Sequence, residues 1–119
     1  DKYPHLKDSF MLMHQSDWNC KVQITDNFKL IKIHGDLVRC DIDRGFDLVY
    51  QDAFAPDKQP ELWSENLFRK LYQSMNTNGI LVTYSAKGQV RRNMQNAGFK
   101  VERLPGPPGK REMLRASKV

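Results

Sequence analysis

The chain has 119 residues, 39% of them hydrophobic, and a formal charge of +5. That length supports one domain with a modest core and excludes two. No run approaches the roughly 20 apolar residues of a membrane span, and the charged N-terminus does not read as a signal sequence, so a soluble cytoplasmic protein is expected.

In chain order the pattern alternates helix and strand. Leu6 to Trp18 carries Leu6, Phe10, Met11, Leu12, Met13 and Trp18 at mixed helical spacing, which predicts a helix whose methionine-rich face packs into the core. Phe28 to Ile33 alternates as a strand ending at His34-Gly35-Asp36. Phe46 to Gln51 is apolar nearly throughout, the signature of a strand covered on both sheet faces. Pro60 at a first helical position and Gly79 as a stop bracket one long helix, with Trp63, Leu67, Leu71 and Met75 recurring every four residues on its apolar face.

Gly79 to Tyr84 reads as a further buried strand. Val90, Met94 and Ala97 then mark the inner face of a second helix, closed by Gly98, which turns Arg91 and Arg92 outward. Phe99 to Glu102 alternates as a strand, and after the Gly106-Pro107-Pro108-Gly109 turn Arg111 to Ala116 returns as the last one. Strands separated by helices at this spacing predict an α/β fold with a mostly parallel sheet and one antiparallel edge strand.

Charge is unevenly spread. From Lys87 to the end, nine basic residues stand against Glu102 and Glu112, a net of +7, while the preceding residues sum to −2. A positive face of this kind captures polyanions, although it also serves as an ordinary solvated surface. Cys20 and Cys40 are isolated, and His5, His14 and His34 are scattered, so neither a disulfide framework nor a metal site is expected.

The most pointed feature is Asp52-Ala53-Phe54-Ala55-Pro56 directly behind the apolar run that ends at Gln51, because α/β enzymes keep their chemistry where buried strands emerge. Together with Gln59-Pro60-Glu61-Leu62-Trp63, Leu81 to Gly88 with Val90-Arg91-Arg92, Ala97-Gly98-Phe99, and Leu104 to Met113, this segment resembles the S-adenosylmethionine-dependent tRNA 5-methylaminomethyl-2-thiouridine methyltransferases. In that family the domain stands alone or is fused to a flavin-dependent oxidase.

The resemblance implies a Rossmann-like class I methyltransferase fold and methyl transfer to the 5-aminomethyl group of 2-thiouridine at the tRNA wobble position. It implies S-adenosyl-L-methionine as methyl source and tRNA as partner. Asp52 is then the residue that orients the amine and accepts its proton, with Asp52, Ala53 and Phe54 against the cofactor and Phe54 and Pro56 against the substrate base. Related methyltransferases hydrogen-bond adenine from the position of Asp36, for which a turn aspartate is an equally good reading. Tyr84 and Ser85 are expected beside the same crevice, although Tyr84 also suits a core cap. Arg91, Arg92, Lys110 and Arg111 are expected on the tRNA backbone, while Trp63 reads as core.

The family's opening strand, its Gly-rich turn and the acid that holds the ribose have no match ahead of Asp1. The 119 residues are therefore expected to be one incomplete domain, the carboxyl-terminal two-thirds, inactive alone and self-associating through an exposed sheet edge. A basic α/β module that binds RNA without chemistry, and a methyltransferase acting on another amine, are the competing readings.

Overall fold

A computed structural model describes residues 4–109 and 112–119, which fall into two compact units, one ending at Asp36 and the other starting at Leu37. Among the described residues no helix is long and apolar enough to cross a membrane, and no group of three or more His, Cys, Asp or Glu side chains converges as a metal site would.

In the first unit a short 3-10 turn, Pro4–Leu6, leads into helix α1, Lys7–Gln15, which ends where the Ser16 amide donates to the Leu12 carbonyl at 2.9 Å. The methionine-rich face does not pack as the sequence suggested: α1 buries no residue, and Phe10, Met11 and Leu12 are exposed. Three apolar residues in direct succession point around the helix rather than along one stripe, so they cannot all face a single neighbour. Strands β1, Lys21–Thr25, and β2, Phe28–Ile31, then form an antiparallel hairpin across Asp26-Asn27. The sequence reading missed β1 and set β2 in the main sheet; the two instead make a separate two-stranded sheet with Ile24 buried.

The second unit carries a four-stranded mixed sheet. Strand β3, Phe46–Gln51, runs parallel to β4, Met75–Thr83, while β6, Glu112–Ser117, lies antiparallel between β4 and β5, Lys100–Pro105. The antiparallel strand is thus one place in from the edge, because the Gly-Pro-Pro-Gly connection folds β6 back into the gap beside β4. Helices α2, Glu65–Ser74, and α3, Gly88–Asn96, share one layer, where Phe68, Val90 and Met94 pack with Leu81, Leu114 and Ala116 of the sheet.

The strand pleat assigns the faces. Val49, Gln51, Leu81 and Thr83 turn toward the helices, whereas Phe46, Leu48 and Tyr50 turn away and are exposed. Coverage of both faces of β3, expected from its apolar run, is therefore not found; β3 is an edge strand with its outer row open.

The expected long helix is two pieces. Pro60–Trp63 forms a 3-10 turn, and Ser64 restarts the chain as N-cap of α2, its Oγ accepting from the Leu67 amide at 3.1 Å. The four-residue stripe nevertheless holds, with Trp63, Leu67, Leu71 and Met75 all buried. The helix ends at Ser74 rather than at Gly79, and the Lys118 ammonium closes it by donating to the carbonyls of Tyr72 (2.9 Å) and Met75 (2.8 Å). Gly79 belongs inside β4, where a Cβ would stand 2.8 Å from the Asn76 carbonyl oxygen. Gly98 does close α3, at φ +116 and against the Tyr72 ring.

Candidate functional site

Parallel strands expose their carboxyl ends at the same edge of a sheet, and here the register makes them level: Tyr50 pairs with Val82 and Gln51 with Thr83. The chain therefore leaves β3 through Asp52 and β4 through Tyr84 and Ser85 side by side.

The loop behind Asp52 is fastened rather than draped. The Gln51 side chain, buried, donates to the Leu62 carbonyl at 2.8 Å, and the Trp63 indole N–H donates to the Phe54 carbonyl at 2.7 Å. Within the loop the amides of Lys58 and Gln59 both donate to the Ala55 carbonyl, at 2.8 and 3.0 Å. The Trp63 carbonyl in turn accepts from Asn93 Nδ2 at 2.9 Å, which ties the loop's anchor to α3. Trp63 is core, as the sequence suggests, and its polar edge holds the backbone of the Asp52 loop.

Two crevices open at these strand ends. One, of about 280 Å³, is lined by Gln51, Asp52, Ala53, Ala55, Pro56, Trp63, Thr83, Tyr84, Ser85 and Lys87. The other, of about 220 Å³, is lined by Tyr50, Gln51, Asp52, Val82, Thr83, Tyr84 and Met113. Gln51, Asp52, Thr83 and Tyr84 border both, so Asp52 is one of four residues shared by the two cavities.

Asp52, Ala53, Pro56, Tyr84 and Ser85 are thus brought together as the sequence implies. Phe54 contributes its carbonyl to the Trp63 anchor, and its ring lines neither crevice but stands 73% exposed beside them, with Tyr50 at 75%. Asp36 closes the first unit and is exposed. Arg91 is half-buried on α3 and Arg92 exposed, its guanidinium donating to Gln89 Oε1 at 3.1 Å. Lys110 and Arg111 lie outside the described residues.

Sequence reasoning missed Gln51, Thr83 and Lys87 as lining residues. Lys87 lay within the Leu81 to Gly88 motif and was countable as a cation; its place at the crevice comes from the turn out of β4. Its ammonium lies 3.7 Å from Asp57 Oδ1, with both side chains more than half exposed, an ion pair of little energetic weight.

Residues 3–119 match a family of S-adenosyl-L-methionine-dependent methyltransferases. The chain belongs to that family. Its mixed sheet with helices is the Rossmann-like α/β fold of class I methyltransferases.

This methyltransferase chain is similar to the tRNA 5-methylaminomethyl-2-thiouridine biosynthesis bifunctional protein MnmC of Azoarcus sp. strain BH72, 42% identical over 74 residues that make up 62% of the chain and 12% of that protein. The protein of the same name in Campylobacter hominis is 31% identical over 118 residues, 96% of the chain and 16% of that protein. Among solved structures, MnmC2 from Aquifex aeolicus superposes with a TM-score of 0.71 at 27% identity, over 91% of the chain and 35% of the other. The chain thus spans about a third or less of each relative's length.

The anchor predicts how the loop responds to mutation. Trp63→Phe removes the indole donor to Phe54 together with part of the buried bicycle, so global stability should fall by about 2–3 kcal/mol. Hydrogen exchange at the Lys58 and Gln59 amides should quicken more than at core amides of β4; equal protection in the variant would remove the indole from the support of the loop.

Proposed function

We propose that the protein transfers a methyl group from S-adenosyl-L-methionine to the exocyclic amine of 5-aminomethyl-2-thiouridine at the wobble position of tRNA, in the cytoplasm. The observation that carries this reading is the position of Asp52 among the residues shared by two crevices, at the level carboxyl ends of β3 and β4. Two ligands that must exchange a group need two adjoining sites with an acid–base group between them.

The crevices fit parts of the two ligands. Each falls slightly below the roughly 300 Å³ at which pockets for whole drug-sized molecules begin, so each suits a reacting end rather than an entire cofactor or nucleotide. Asp52, Ala53 and the Phe54 segment would hold the cofactor end, while Phe54, Pro56, Tyr84 and Ser85 would position the base. When bound, S-adenosyl-L-methionine supplies an electrophilic methyl carbon on a sulfonium.

A primary alkylamine is mostly protonated near neutral pH, and only its neutral form has the lone pair that attacks carbon. The Asp52 carboxylate would orient the amine by accepting its hydrogen bond and would take the proton released as the C–N bond forms and the methyl–sulfur bond breaks, the sulfonium leaving as a neutral thioether. Exposed Tyr50 and Tyr84, which line the crevices, and exposed Phe54 in the loop behind Asp52 offer flat faces to a nucleobase. Arg91 and Arg92 would meet tRNA phosphates, and Lys110 and Arg111 join them in this reading. The open edge of β3, with its exposed outer row, supports self-association through that strand.

In the intact parent protein, Asp52→Asn preserves shape and removes the proton acceptor, so methyl transfer should fall by roughly 100-fold or more. Single-turnover methylation of tRNA lacking only this methyl group measures it, and a variant within about threefold of wild type would take Asp52 out of the mechanism.

Arg91→Ala and Arg92→Ala should each weaken tRNA binding and lower the slope of log affinity against log salt by about one. Filter binding across a salt series reads both, and unchanged slopes would make these arginines solvated surface.

A further inference from the structure

The first unit holds a surface cluster that the methyltransferase reading leaves without a role. Trp18 lies between α1 and β1, where its backbone bridges to Lys32 beyond the end of β2. The next residue, Asn19, sits in the left-handed region at φ 62, and its side-chain oxygen accepts from the His34 amide at 3.2 Å. This junction fixes where the indole points. The Lys32 ammonium stands 4.8 Å from the indole centroid and donates to the His14 carbonyl at 3.4 Å, and the His34 ring lies 5.6 Å away, tilted at 50°.

Despite these contacts Trp18 is 57% exposed. A tryptophan serving only the core buries its ring, as Trp63 does at 4%. Here the ring stands in the open with an ammonium and an imidazole beside it. An apolar protein face would have to strip water from that ammonium, whereas a nucleotide uses both parts: its base stacks on the indole and its phosphate meets the Lys32 ammonium. Exposed Lys21 and Lys29 on the neighbouring hairpin add to the attraction for a polyanion.

We propose that Trp18, with Lys32 and His34, is a stacking platform for an unpaired nucleotide of single-stranded or looped RNA. The proposal rests on the tRNA reading and extends it to a contact outside the Asp52 crevices. Duplex RNA, whose bases are already stacked on each other, would not use the indole.

Titration of the intact protein with tRNA, with a uridine dodecamer and with an RNA duplex of equal length tests this through tryptophan emission and filter binding. Stacking on Trp18 should quench emission with tRNA and the dodecamer but not with the duplex, and that quench should be lost in Trp18→Phe, which leaves Trp63 of the Asp52 crevice as the remaining tryptophan. Trp18→Ala should weaken tRNA and dodecamer binding by roughly 5- to 100-fold, whereas Trp18→Phe keeps a stacking face and should stay within about threefold. Saturating tRNA binding without quenching, or Trp18→Ala within about twofold of wild type, overturns the platform and leaves the methyltransferase reading intact. A wild-type protein that binds no tRNA overturns both.

Discussion

Pairing of β3 with β4 in parallel and level register is the constraint on which the site depends. Because Gln51 stands opposite Thr83, the loops leaving the two strands start at one height, and both crevices form against the same pair of residues. A one-residue slip of β3 against β4 would turn Gln51 out of the helix-facing row and move Asp52 away from Tyr84. The buried Gln51 side chain reinforces the register, since its donation to the Leu62 carbonyl is satisfied only when β3 ends where it does.

Around that register the chain uses long side chains as fasteners. The Lys70 ammonium reaches from α2 to the carbonyls of Leu37, Val38 and Cys40, and so holds the segment leading toward β3. Lys118 does the same for the end of α2, and Arg115 pairs with Glu102 across the β5–β6 hairpin at 3.3 Å. The basic terminal third is therefore not one uniform surface for a polyanion. Lys118 and Arg115 are engaged within the fold, whereas Arg92 is exposed on α3 and donates to its helix neighbour Gln89.

Much of the second unit was legible because its signals are local. The stripe from Trp63 to Met75, the inner face of Val90, Met94 and Ala97, the Gly98 stop and the Asp52 loop behind an apolar strand all reappear where periodicity and turn chemistry put them. Two misses were also readable. Ser64 ahead of Glu65 is an N-cap signature that breaks the long helix, and Lys21-Val22-Gln23-Ile24-Thr25 before Asp26-Asn27 alternates as a hairpin strand. The place of β6 inside the sheet and the open outer row of β3 were not, since both depend on which distant segment pairs or packs there. The crevice position of Lys87 likewise follows from how the chain turns out of β4.

Ligands that meet across Asp52 at the ends of β3 and β4 would shield both loops that leave those strands. Hydrogen exchange of the intact protein, followed with S-adenosylhomocysteine and tRNA added singly and together, reads this. Protection should centre on residues 52–57 and 84–88 and be greatest with both ligands present. Protection confined to other segments, such as the separate small cavity lined by Asp41, Arg44 and Gln73, with those two loops unchanged, would contradict it.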